Sequence, residues 1–271
     1  MSDIVLSAGV RSNLLQLQQT SDLITQTQTR LATGKRVNSA LDNAINFFTA
    51  QGLSTRANDL NSLLDSMSTG INTIQAANNG ISAITKLVQS AQALVSQAQQ
   101  TTDTTVRATL SSQFDELLTQ IDQLAGDSGI NGVNLLGGND LTITLNETGQ
   151  STVTITAVND TTGGDLAIAN AANNWAGTAD ISTAATDLTT ALVTLRTQSQ
   201  ALSSNLQTVQ IRQDFTKAMI NTLNTGADDL TLADSNEEGA NLLALQTRQQ
   251  LSTTALSLAA QADQNVLRLF R

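Results

Sequence analysis

Cysteine, histidine, proline and tyrosine are all absent from this chain of 271 residues, and each absence closes off a class of fold or function. Without cysteine there is no disulfide scaffold, no thiol-ligated metal and no thiol nucleophile. Without histidine there is no Ser-His-Asp triad and no His-bearing zinc site. Aromatic residues, which carry much of the burial in compact cores, are 2% of the chain, five Phe and one Trp. Their scarcity points to helices packed on helices through Leu, Ile, Val and Ala, in an elongated antiparallel bundle. No apolar run approaches the ~20 residues that span a bilayer. No basic patch with interleaved aromatics offers a nucleic-acid surface. The stretch from Met1 to Gln19 lacks a charged segment followed by a continuous apolar one, so any export is expected to proceed without a cleaved signal peptide.

What charge there is lies in the middle. Between Asp103 and Glu238 there are seventeen acids against four bases, within a formal net charge of -10. The flanking segments are almost neutral and slightly basic. An acidic middle suits exposure to water, and weakly charged ends suit packing against neighbours.

Heptad spacing dominates both halves. Val10, Leu14, Leu17, Ile24 and Leu31 fall on one 4-3 register, with Ser21 and Gln28 as its polar members. A second register runs from Leu53 to Val88 through Ala57, Leu60, Leu64, Met67 and Ile71. With no proline to break it, that register predicts a helix of about 45 residues, far longer than is usual in globular proteins. A shorter helix follows, marked by Leu110, Phe114 and Ile121 and ended by Gly126. The register returns at Ile181 and runs through Leu188, Leu195, Leu202 and Val209 to Leu230. After Asp234-Ser-Asn-Glu-Glu-Gly239 a last helix uses Leu242, Leu245, Leu256, Ala259, Val266 and Phe270.

Between the halves the period changes. Leu141-Thr-Ile143-Thr-Leu145 and Val153-Thr-Ile155-Thr alternate apolar and Thr residues across Asn146-Glu-Thr-Gly149, which predicts a β-hairpin. Asn159 to Gly177 carries little apolar material and is too short for a core of its own. The expected organisation is therefore a terminal coiled-coil helix and turn (1–40), long and short helices (41–129), a hairpin and short insert (130–177), a second long helix (178–235) and a closing coiled-coil helix (236–271). First pairs with last and long with long.

Leu31-Ala-Thr-Gly-Lys-Arg-Val-Asn-Ser-Ala-Leu-Asp-Asn-Ala44 resembles the turn that bacterial flagellins place between their terminal and long helices. Asn241 to Phe270 is similar to their C-terminal helix, and Ile130-Asn-Gly-Val-Asn-Leu-Leu136 to the stretch before their hairpin. Leu41, Asn43 and Asn46-Phe47-Phe48 depart from the small and acidic residues common there. The resemblance implies a filament subunit exported by the flagellar type III apparatus and its chaperone. Its implied partners are other flagellin subunits, the cap and the junction proteins, and its place is the extracellular filament. It implies terminal helices lining a central channel and an outward insert, reduced here, with no cofactor.

The residues expected to pack subunits together are Val10, Leu14, Leu17, Ile24 and Leu31 near one end and Leu242, Leu245, Leu256, Val266 and Phe270 near the other. A monomeric bundle would bury the same positions internally, and a membrane-surface helix would need Lys or Arg along its polar face. Ser, Thr and Gln interrupt both seams, which weakens each helix in isolation and favours packing between subunits. The terminal segments are accordingly expected to order on assembly. Gln16, Gln18, Gln19, Thr20 and Thr25, with Gln249, Gln250, Thr253 and Gln261, would give a channel a neutral polar wall.

Other readings are a hook–filament junction protein and a type III secreted adhesive protein. An enzyme would have to rely on pairs such as Asp228–Asp229 or Glu237–Glu238, which read as solvated faces. Asp140, Asp160 and Asp165 match no calcium-loop pattern. The resemblance also bears on an innate-immune receptor that reads arginines on the long helix of many flagellins. Ungapped comparison backwards from Ile130 puts Gln89 and Ala91 at their places, which implies escape from it.

Overall fold

The computed structural model describes residues 8–269, less the side chains of Asp263 and of residues 266–269. The chain is mainly α with a small hairpin: α1 (Ala8–Thr33), α2 (Ala40–Gln100), α3 (Thr104–Asp127), β1 (Leu141–Thr144), β2 (Thr152–Ile155), a short 3-10 turn (Ala172–Trp175), α4 (Thr178–Thr231) and α5 (Ser235–Leu269). It divides into two compact units. One comprises the chain up to Thr55 together with that from Thr222 on, and the other is Arg56–Asn221.

Local chemistry sets the helix ends. Ser39 Oγ accepts the N–H of Leu41 at 3.3 Å, and Asp42 Oδ2 accepts that of Ser39 at 3.0 Å, a reciprocal capping box. The Asn38 and Ser39 N–H groups together hold the Asp42 carboxyl below its ordinary range. Asn43 then leaves helical geometry, with φ -163° and ψ 100°. Its Oδ1 caps the helix anew by accepting the Asn46 N–H at 3.0 Å. Beyond that break α2 continues to Gln100, so the element has 61 residues. It overruns the heptad reading at both ends because Ala, Ser and Gln carry the helix where no Leu marks a register.

Asp103 caps α3 by accepting the Thr105 N–H at 2.8 Å. At its other end Asn134 Nδ2 donates to the carbonyls of Ala125 and Gly126 at 2.7 and 2.9 Å, so α3 runs past Gly126 to Asp127. Arg107 is buried, and its Nε donates to Thr101 O at 2.8 Å while Nη1 donates to Ala176 O at 3.3 Å. It thus ties the α2–α3 turn to the chain entering α4.

The core of the Arg56–Asn221 unit is one apolar cluster. Along α2 the fully buried positions include Met67, Ile74, Ile81, Val88 and Val95, one heptad apart, flanked by Ala77, Ile84, Ala91 and Ala98. On α4 Ile181, Leu188, Leu195, Leu202 and Val209 repeat the pattern. Gly80 of α2 has no room for a side chain, since a Cβ would collide with Ser128 and Leu136.

The hairpin pairs Leu141 with Ile155 and Ile143 with Val153, burying Ile143 and Ile155 and leaving Thr142 and Thr154 exposed. Asn146 closes its turn by accepting the Ser151 N–H at 2.9 Å. Residues 159–177 have no core of their own, yet Leu166, Ile168 and Trp175 are buried in the shared cluster. The Trp175 ring lies against Phe114 with centroids 5.0 Å apart.

Candidate assembly surface

In the other unit α1 packs against α5. The side chains withdrawn from water on α1 include Val10, Asn13, Leu17, Thr20, Ile24, Thr27 and Leu31, spaced alternately three and four, with Arg30 beside the last. On α5 they are Glu238, Leu242, Leu245, Gln249, Ser252, Leu256 and Ala259, with the same spacing. Six of the residues nominated for subunit packing, Leu17, Ile24, Leu31, Leu242, Leu245 and Leu256, are thus half-buried positions of these stripes, and Val10 is a buried one. The side chain of Val266 and the whole of Phe270 lie outside the described residues.

The α1 register departs from its 4-3 reading at every second position. Leu14 is 38% exposed, while Thr20 and Thr27, at 1% and 6%, are buried in place of the expected Ser21 and Gln28. Thr suits such a site because its methyl packs while its hydroxyl is satisfied by its own helix, as Thr20 Oγ1 does by donating to Gln16 O at 2.8 Å. Thr20 therefore leaves the set of channel-facing polar residues. Gln16, Gln18, Gln19, Thr25, Gln250, Thr253 and Gln261 are exposed, and Gln249 is half-buried.

Turns pin the pair at one end. Gly34 ends α1 with φ +67°, a left-handed conformation that suits glycine. The Arg36 N–H donates to Thr231 O at 2.8 Å, and the Ala233 N–H to Gly34 O at 3.0 Å. Asp234 caps α5 by accepting the Asn236 N–H at 2.8 Å. Arg30 Nη1 meets Glu238 Oε1 at 3.0 Å. Glu238 is 7% exposed, so of the expected solvated pair only Glu237 faces water.

Outside these stripes the same unit carries a second set of large apolar side chains in water: Leu15, Leu23, Leu243, Leu251 and Leu258, the last three 66%, 67% and 62% exposed. At the start of α2, Leu41 stands out just before the break at Asn43, and Ile45 and Phe48 stand out at i and i+3 just after it, where the turn departs from the flagellin pattern. Exposed leucines beside an occupied stripe mark a surface that a further helix can cover. Periodicity missed these leucines because they lie off the dominant register.

The remaining sequence expectations have definite places. Gln89 is exposed, but Ala91 is fully buried in the α2 core. Asp228 and Asp229 are exposed. Asp140 accepts the Ala157 N–H at 2.7 Å, and Asp165 that of Asn159 at 2.9 Å, so both serve the loops they sit in. Among the described residues no three acids gather as metal ligands. No helix among them is long and apolar enough to cross a membrane.

Residues 8–140 match the family described as the bacterial flagellin N-terminal helical region. The chain is 34% identical to flagellin FljM of Caulobacter vibrioides, over 100% of its own length and 99% of that protein. Flagellin FljK of the same organism is 33% identical over the same shares of both chains, and a flagellin of Brucella melitensis is 26% identical over 100% of each. The crystal structure of Bacillus cereus flagellin superposes on 57% of this chain and 88% of its own, with 22% identity and a TM-score of 0.48.

Proposed function

The chain belongs to the flagellin family, whose members are structural subunits of the bacterial flagellar filament and not enzymes, and we propose that it polymerises through its α1–α5 pair into a hollow helical filament that drives swimming. The observation that carries this reading is the second set of leucines, exposed on a helix pair whose facing stripes are already occupied. In a filament each pair would be surrounded by copies of itself, and burial of each leucine would contribute about 1.5–3 kcal/mol. Val10, Leu14, Leu17, Ile24, Leu31, Leu242, Leu245, Leu256, Val266 and Phe270 are the proposed subunit-packing residues, of which those on the α1 and α5 stripes would also keep the pair in register. Leu15, Leu23, Leu243, Leu251 and Leu258 would meet its neighbours.

The proposed partners are other flagellin subunits, the cap and junction proteins, and the type III export apparatus with its chaperone. The proposed place is the extracellular filament, reached without a cleaved signal. Escape from the innate-immune receptor, proposed on the same footing, rests on Gln89 alone, since Ala91 lies inside the core.

The thin stripes have a dynamic consequence. Fully buried positions on α1 are only Val10, Thr20 and Thr27, two of them hydroxyl-bearing. A pair held so lightly opens often in the monomer and closes when neighbours cover it. Hydrogen exchange checks this: amides of residues 10–31 should exchange rapidly in the monomer and be protected at least a hundredfold more in the polymer. Equal protection in both states would show that these helices do not order through assembly.

A further inference from the structure

The described part of the insert holds one charge-bearing side chain that nothing satisfies. Asp160 is 0% exposed, and neither carboxyl oxygen has a hydrogen-bond partner. Beside it is the side chain of Gln198 on α4, whose Oε1 is also buried and without a donor. Three buried acceptor oxygens therefore lie close together, none in a hydrogen bond of ordinary geometry, and the Gln198 amide N–H is the one donor near enough to act on the carboxyl. A single proton resolves this arrangement. A neutral carboxylic acid donates its O–H to the amide Oε1 and accepts the amide N–H at its other oxygen.

The surroundings favour that proton. Of the ionisable groups on the elements packed there, Asp122 of α3 is taken up by the N–H and hydroxyl of Thr162, and Asp115 of α3 by the N–H of Ala171. Asp165 accepts the Asn159 N–H, while Lys86 of α2 and Arg196 of α4 are exposed. Among these only Asp165 acts appreciably on Asp160, and its charge is of the same sign. Burial pushes the Asp160 carboxyl up to about 6, Asp165 pushes the same way, and only Gln198 opposes them.

We propose that Asp160 is held as a neutral acid paired at two points with the Gln198 amide, a proton-dependent clamp that fastens the 159–168 loop to α4 and loosens as the pH rises. The loop is built to respond as a unit. The Asp160 N–H donates to Leu136 O at 2.9 Å, the Ile168 N–H to Thr162 O at 2.9 Å, and Leu166 and Ile168 are buried beyond. Losing the clamp therefore exposes apolar surface on the insert. A group whose folded pKa is raised stabilises fully below its unfolded value, near 3.8, and that contribution is lost as the pH climbs through about 6. The inference is independent of polymerisation.

The test uses the full-length monomer. The opening constant of amides 159–168, from hydrogen exchange corrected for intrinsic rates, should rise roughly a hundredfold between pH 4 and pH 8. Asp160→Asn supplies an N–H to Gln198 at every pH, so its loop should stay closed at pH 8 and lose the pH dependence. Opening that is equal at both pH values in the unaltered chain overturns the proposal. So does a loop that Asp160→Asn opens throughout, or one that millimolar calcium closes at pH 8, because each requires an ionised carboxylate. Should that variant not fold, carbon-13 titration of the Asp160 carboxyl in the unaltered chain decides: a midpoint near 6 supports the clamp, and one below 4.5 overturns it.

Discussion

Leu251→Asp should yield a folded, soluble chain that forms no filaments. The leucine is 67% exposed, so a carboxylate there stays hydrated in the monomer and leaves the α1–α5 stripes untouched. In the polymer the same position is proposed to be covered by a neighbour. Burying an uncompensated carboxylate then costs several kcal/mol, and the leucine's roughly 1.5–3 kcal/mol of burial is lost as well. Because the defect repeats in every subunit, elongation fails altogether. Leu256→Asp should also stop assembly, but by a different route. Leu256 is a half-buried position of the α5 stripe, so this variant should also loosen the helix pair in the monomer. Sedimentation after seeding measures the first effect and far-ultraviolet circular dichroism of the monomer the second. Normal filaments from Leu251→Asp would show that its face of α5 meets water, not a neighbour.

Phe114→Ala should destabilise the Arg56–Asn221 unit by about 3–5 kcal/mol, the usual cost of truncating a buried phenylalanine. Phe114 is fully buried on α3, and its ring lies 5.0 Å from that of Trp175. The surroundings are poorly able to close over the gap, because Trp175 is held in a left-handed turn, with φ near +50° at Asn173, Asn174 and Trp175. The measurement is simple, since Trp175 is the chain's one tryptophan. Its fluorescence during urea unfolding reports this unit alone. A loss below about 1 kcal/mol would mean that the insert's attachment to α3 does not depend on the aromatic pair.

Those two sites were unequally legible in the sequence. One heptad position was readable throughout: Val10, Leu17, Ile24 and Leu31 on α1, Leu60, Met67, Ile74, Ile81 and Val88 on α2, and Ile181 to Val209 on α4 all point inward or along the α1 stripe. Its neighbour was misread. The sequence pattern favours Leu64, Ile71 and Thr85, which are half-buried, over Ala77, Ala91 and Ala98, which are buried completely. Hydrophobicity rewards large side chains, whereas the closest approach of helices requires small ones, so a residue such as Ala91 looks like surface and lies in the core. The one-residue slip on α1 has another origin: Leu14 draws the register off Asn13, and Ser21 and Gln28 follow from it by fixed spacing, whereas Thr20 and Thr27 are the buried positions.

Elsewhere the missing information was tertiary. Leu166, Ile168 and Trp175 are too few to show a period, and their burial depends on a core built by helices distant in sequence. The break at Asn43 depends on its side chain competing with the helix for the Asn46 N–H. Asp160 reads as one acid in a polar loop, and only its position against Gln198 sets it apart. The hairpin was legible for the opposite reason: alternation of Thr with Ile, Leu and Val over a few residues is a local signal, and Gly149 and Asn146 sit where the turn needs them.

Seeded growth is the most direct test of the central claim. Purified full-length chain, mixed with short sheared filaments of the same protein and viewed by electron microscopy, should extend the seeds into long hollow filaments whose length grows with the monomer supplied. Seeds that remain at their starting length while the chain stays monomeric would contradict polymerisation through the α1–α5 pair, and would favour a secreted binding protein or a junction component present in few copies.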